Sequence, residues 1–384
     1  MKISLKRIVF ELCIIMPLLY TFVYMVNNGN ANKLIIIDLI LTYILLILNL
    51  AKRGKRNLFI ILNGGVVFYA MYTSIIIYPQ YLMHSYFYTY LFAIVLFLLF
   101  SDEVIRREFY SYFLNAKNRF VLYSFLLFLL VAYTVIFQDG LRHTISMPVL
   151  YGPFEIPHYM SYILIVMYCG VYLQYKNADK KILPLMIRIL LAVCIIWTAV
   201  RSTAIALAIL IAYEFLSIKS FKKKFVLAAI VILIIIYLLL ETNILINNPL
   251  MEKTMYAASN NGSITNNREW FRQAALMYYS NKIGIIGKLF GAGMPNLVKA
   301  ILESVGAEIH AHNDYVNMLV GYGIVGLVAF IVSQLRLISI KKYTRQAIFL
   351  QIFIFVLAYY NGFALYTMLT SSMPIIILFF EHNE

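Results

Sequence analysis

Val226-Leu227-Ala228-Ala229-Ile230-Val231-Ile232-Leu233-Ile234-Ile235-Ile236-Tyr237-Leu238-Leu239-Leu240 is apolar on every side, its one polar atom a tyrosine hydroxyl. A barrel strand would alternate apolar and polar residues, whereas a helix satisfies its own backbone and suits such a run inside hydrocarbon. Working outward, apolar runs of about 17–25 residues recur near 8–26, 34–50, 58–78, 84–100, 119–137, 158–175, 183–200, 202–218, 225–243 and 314–335. The stretch 346–380 is too long for one span and is interrupted by Tyr359-Tyr360-Asn361-Gly362 and Ser371-Ser372-Met373-Pro374, so it divides near 346–362 and 365–380. The composition agrees: hydrophobic residues are 62% of 384 and charged residues 13%, against about a quarter charged in soluble domains. The expected fold is therefore an all-α polytopic integral membrane protein of about twelve transmembrane helices, 1–384 forming a single membrane domain.

The net charge of +15 invites a nucleic-acid partner, but its distribution argues against one. Lysines and arginines sit in short clusters between apolar runs, which is an orientation signal. With the N-terminus inside, 22 cations fall on the cytoplasmic side and 9 outside, with Arg188 inside a span. Both termini are then cytoplasmic. Two outer loops have room for structure, 138–157 and the large 244–313 between spans nine and ten. The first run follows Lys2, Lys6 and Arg7 but offers no small-x-small cleavage site at Val26-Asn27-Asn28-Gly29, so it reads as a retained span. Cys13, Cys169 and Cys194 all lie in apolar runs and read as core residues, not as a disulfide framework.

Chemistry concentrates at His310-Ala311-His312-Asn313-Asp314-Tyr315-Val316-Asn317, which closes the large polar loop and opens the next span. Asn313 or Asp314 can cap the following helix, and Gly323 and Gly326 thin one face for packing. The histidines are then either interfacial decoration or part of a catalytic rim. Arg201 stands in a very short turn, Thr198-Ala199-Val200-Arg201-Ser202-Thr203-Ala204. Its permanent charge and bidentate fork suit a lipid phosphate or pyrophosphate; alone it would read as a snorkelling anchor. Asn266 to Leu276 reads as a helix with Arg268 and Arg272 on one face, then the chain turns at Gly291-Ala292-Gly293-Met294-Pro295-Asn296. His310-x-His312 could instead begin a metal site with Asp139, Glu303, Glu308 or His158, but no second ligand spacing supports it. Glu11, Arg188, Glu214, Asp38 and Glu241 all lie near span ends, within snorkelling reach, and none at the midplane where a coupled transporter keeps its relay.

Four stretches carry a likeness to a known family. They are Tyr151-Gly152-Pro153-Phe154-Glu155-Ile156-Pro157-His158, Val200-Arg201-Ser202-Thr203-Ala204, Arg268 to Leu276 with the glycine-rich Ile283 to Asn296, and His310 to Leu327. In order and placement they resemble the O-antigen polymerase/ligase family of bacterial envelope glycosyltransferases, over about 150–330. His158 replaces that family's usual Asn, and its single motif histidine best matches His312, leaving His310 an addition. The resemblance implies inverting, metal-independent transfer at the outer face of the bacterial cytoplasmic membrane, without a cofactor. The donor would be a glycan on undecaprenyl pyrophosphate. His312, Arg268 and Arg201 would be catalytic; Arg272, Arg142, His310, Asn313, Gly291 and Gly293 would bind substrate. The acceptor would be a second repeat unit in a polymerase or lipid A-core in a ligase, with polymerase the expectation. Beyond the bilayer, a chain-length regulator and a flippase are the implied partners. A flippase or exporter of lipid-linked sugars is the reading from another class; it would share the topology without needing the histidine rim.

Overall fold

The computed structural model describes residues 4–27, 31–52, 85–115, 119–143, 148–176, 182–217, 268–306, 309–338 and 367–381. The expected spans at 58–78, 225–243 and 346–362 lie outside the described residues, as does 244–267. The other apolar runs are helical, as they must be where no water can satisfy the backbone. In chain order these are α1 (Leu5–Val26), α2 (Asn32–Lys52), α3 (Ser85–Phe100), α4 (Glu103–Asn115) and α5 (Arg119–Phe137). A hairpin of β1 (Leu141–His143) and β2 (Pro148–Leu150) follows, with Arg142 opposite Val149. Then come α6 (Pro157–Tyr175), α7 (Ile182–Trp197), α8 (Arg201–Ser217), α9 (Arg268–Asn281), α10 (Ile285–Phe290), α11 (Met294–Val305), α12 (Asp314–Ile338) and α13 (Thr367–Glu381). Among the described residues, four stretches are long and apolar enough to cross a membrane: Leu5–Val26, Lys33–Ala51, Arg119–Phe137 and Asp314–Gln334.

The centre of the bundle is α13, buried along the whole of residues 371–380 and packed on α6, α1 and α3. A helix apolar on all sides can be buried on all sides, and α6 is the second such element, its Pro157 supplying a preset first turn. The stretch expected as an inner loop contains α4. Asp102 caps it by accepting the Val104 N–H at 2.9 Å, and Ile105, Phe109 and Phe113 recur every four residues to bury one face. Phe109 meets Phe10 and Phe100, and Phe113 meets Phe120, at ring separations of 5.1, 5.3 and 5.2 Å.

Two expectations are corrected. The first is the single span at 314–335. Tyr315 Oη donates to Gln334 Oε1 at 3.2 Å and the Tyr315 ring lies 5.9 Å from that of Phe330. A straight helix would separate residues 315 and 334 by roughly 28 Å along its axis. The fold-back occurs at Gly323, whose φ of 71° and ψ of −175° interrupt α12. Gly323 is thus a break as well as a close-packing position, whereas Gly326 faces Tyr322 of its own element. The break releases the carbonyls of Val320 and Gly321, which accept the N–H groups of Ala292 and Gly293 at 2.9 and 3.0 Å. Backbone meets backbone here: a Cβ on Gly323 would stand 2.3 Å from Leu289 O, and one on Gly291 2.2 Å from Gly321 O.

The second correction concerns the ionisable residues near span ends. Those described each have a charged or hydroxyl partner within the protein instead of snorkelling singly. Arg119 donates to Glu11 at 2.7 Å. Arg188 pairs with Glu214, donates to Tyr168 Oη at 2.6 Å and lies over the Tyr172 ring at 4.7 Å. Asp38 is fully buried and accepts from Thr42 at 3.3 Å and from Ser371 of α13. Glu241 lies outside the described residues.

Candidate active site

The loop before α12 is held from both sides. Asn313 is the cap anticipated from sequence: its Oδ1 accepts the N–H groups of Tyr315 and Val316 at 3.0 and 3.2 Å. Asp314 points into the bundle instead. It accepts the Tyr90 hydroxyl of α3 at 2.7 Å, and that hydroxyl accepts from Asn317 Nδ2 at 2.7 Å. Asn317 Oδ1 in turn accepts the N–H of Ala311 at 3.1 Å. Ala311 is fully buried between the two histidines.

His310 Nδ1 accepts the backbone N–H of His312 at 3.0 Å, which puts the ring proton of neutral His310 on Nε2. The two imidazoles stand 4.2 Å apart, and the Phe271 ring of α9 lies 5.9 Å from His312. His312 has φ of +49°, a left-handed conformation that a residue with a Cβ adopts at a cost of about 1–2 kcal/mol. Its Nδ1 is buried and has no hydrogen-bond partner among the described residues. Burial, then the charges of Arg268 and Arg272, push the His312 pKa down to about 3. His310 is driven well below 6.5 by burial, His312, Arg268 and His158 in turn.

Arg201 begins α8, in the turn outside the apolar run. Burial and the charge of Arg268 lower its pKa. The other non-glycine residue described with positive φ is Ala199, at +51°, two positions before Arg201. Ala199 packs on Val149 and Tyr151, and Trp197 Nε1 donates to Pro148 O at 3.0 Å, so the β-hairpin clamps this turn. Both strained positions therefore lie within two residues of an expected catalytic side chain.

Electrostatic reach brings together Arg201, Arg268, Arg272, His310 and His312 from three separate stretches of chain. Arg272 also bridges to Glu269 at 3.3 Å and, with Glu269, Gln273, Leu276, Asn313 and Val316, lines a cleft of about 410 Å³. The described contacts of Arg142 are local: it donates to Asp139 O at 3.1 Å and Glu155 O at 3.4 Å, over the Tyr151 ring at 4.8 Å. Gly291 and Gly293 shape the dock against the α12 break. Tyr90 was invisible to sequence reasoning, being one of several tyrosines in an apolar run. His158, read from sequence as a replacement for the motif's usual Asn and as a possible metal ligand, lies in the electrostatic reach of His310.

Residues 186–331 match the family model described as O-antigen ligase. This stretch, under half of the chain, is similar to the O-antigen ligase family. Members of that family are glycosyltransferase-type enzymes acting on lipid-linked glycans. The domain contains Arg201, Arg268, Arg272, His310 and His312, whereas Tyr90, Arg142 and His158 lie before it. No curated protein and no solved structure matches the chain.

Proposed function

We propose that this membrane protein is a polymerase joining undecaprenyl-pyrophosphate-linked repeat units by inverting glycosyl transfer at the outer face of the cytoplasmic membrane. One observation carries the reading: a buried His312 imidazole whose Nδ1 has no partner among the described residues, set in the field of Arg268 and Arg272. An acceptor-sugar hydroxyl attacks the anomeric carbon of the donor from the face opposite the pyrophosphate. The new O–C bond forms as the bond to the pyrophosphate oxygen breaks, and the pyrophosphate leaves with the electron pair. The hydroxyl proton passes to His312. Arg201 and Arg268 meet the negative charge that develops on the leaving group, and Arg272 and the cleft beside Asn313 serve the glycan.

A pKa near 3 makes His312 a weak base in the free protein. Burial is its first cause, and the two arginines are the rest. A diphosphate beside Arg268 offsets that arginine's contribution, so His312 gains basicity when donor is bound. Arg142, Gly291 and Gly293 enter this reading through the shape of the outer surface. The charge asymmetry supports cytoplasmic termini, and a flippase and a chain-length regulator are the fitting partners.

The ligase reading is favoured by the family description itself; its acceptor is lipid A-core. Protein in lipid nanodiscs, given a lipid-linked repeat unit with and without lipid A-core, separates the two. Longer lipid-linked glycans without core are expected. Transfer onto core alone assigns the ligase, and neither product overturns both. Activity should persist in EDTA; a loss restored by one specific divalent ion overturns the metal-independent reading.

A further inference from the structure

We propose that Tyr90, outside the family domain and carried by α3, is a positioning residue that sets His312 for proton transfer. This rests on the transfer reading of His312. The Tyr90 hydroxyl is the junction of a buried relay. It donates to Asp314 Oδ1 at 2.7 Å, accepts from Asn317 Nδ2 at 2.7 Å, and Asn317 Oδ1 accepts the Ala311 N–H at 3.1 Å. Tyr90, Asp314, Asn317 and Ala311 are each fully buried. Ala311 is the residue immediately before His312, so the relay ends on the peptide unit that joins His310 to Ala311, one residue ahead of the strained left-handed position.

Geometry makes the relay directional. A hydroxyl has one proton and two lone pairs. Here the proton goes to the carboxylate, which leaves the oxygen free to accept the Asn317 amide. That fixes Asn317 with its oxygen toward Ala311 and rules out the flipped amide, whose nitrogen would face the Ala311 N–H. The α12 cap at Asn313 holds the loop on its other side, so His312 is anchored at Ala311 and at Asn313, one position away each way. The ring of Tyr90 is itself seated on both arms of the folded α12, 5.9 Å from Tyr322 and 6.2 Å from Phe330. One side chain of α3 therefore reads the fold-back of α12 and transmits it to the histidine loop.

Tyr90→Phe keeps the ring packing and removes the junction. Turnover should fall on the order of 10- to 100-fold, the scale of a misplaced catalytic group, with KM for the lipid-linked donor little changed. A second readout needs no catalysis: diethyl pyrocarbonate modification of the peptide carrying His310 and His312, followed by mass spectrometry. It should accelerate in Tyr90→Phe while the thermal unfolding midpoint shows the protein folded. Asn317→Ala should give the same signature, and the double variant should be no worse than Asn317→Ala, because both cut one chain of bonds. Unchanged labelling of the histidine peptide overturns the positioning role whatever the activity does. Faster labelling with unchanged turnover overturns the assignment of His312 to proton transfer, and with it the purpose given to Tyr90. A KM rise without loss of kcat also overturns the proposal.

Discussion

At the residue scale, the charge of Arg268 lowers the pKa of both Arg201 and His312, so the three side chains share one field that an anionic leaving group would enter. If each guanidinium grips pyrophosphate as a fork, Lys is a poor replacement despite keeping the charge, because an ammonium cannot make two parallel bonds. Arg201→Lys and Arg268→Lys should each cost about 2–4 kcal/mol of transition-state stabilisation, or about 30- to 1,000-fold in rate. Polymer length per membrane-inserted protein measures this, and near-normal chains from the double variant would remove the clamp. The histidines set a pH dependence of stability. Folded His312 has a pKa of about 3 against an ordinary 6.5, so between those values the unfolded chain binds more protons. Stability is then full above the unfolded value and falls as pH drops toward the folded one. His312→Gln should flatten the decline of the unfolding midpoint between about pH 6.5 and 4; an unaltered slope would show that His312 is not held neutral.

At the element scale, α12 is decided by a contact between backbones. Gly291 and Gly323 both have positive φ, 100° and 71°, and face one another's segments with no room for a methyl group. Gly291→Ala and Gly323→Ala should each lower stability by more than the roughly 1–2 kcal/mol of left-handed strain alone. Gly284→Ala, with an ordinary φ of −69° and open space around it, should be neutral in the same melts. The fold-back has its own test. Cysteines placed at Tyr315 and Gln334 should be joined by a bifunctional maleimide of about 10 Å reach, which a straight helix at roughly 28 Å would forbid. The α9 helix and the Asn313 cap were legible beforehand because both depend on residues within one or two turns. The break was not, because a glycine in an apolar run is equally compatible with a straight helix packed closely on a neighbour, and the Gly291–Gly293 segment that meets the broken one lies elsewhere in the fold.

At the scale of the whole molecule, the end of the bundle where α1 begins carries ion pairs, Lys6 with Glu108 at 2.5 Å and Arg119 with Glu11 at 2.7 Å. The histidines and arginines of the site gather around the turn before α8 and the loop before α12. A cysteine at Ser280, exposed on α9, should react with a membrane-impermeant thiol reagent in intact cells whose outer membrane, where present, is permeabilised. So should one at Ser259, which lies outside the described residues. Labelling confined to inverted vesicles would reverse the orientation. Membrane class, helix type, most described helix positions and the capping asparagine followed from sequence, since each depends on run length, charge placement or a neighbour a few residues away. Tertiary structure alone decided the rest. Tyr90 reaches Asp314 across 224 residues, Asp38 meets Ser371 across 333, and left-handed backbone at Ala199 and His312 is held by the segments packed around it. No local pattern encodes which distant segments will meet, and it is those meetings that gather two histidines and three arginines at one site.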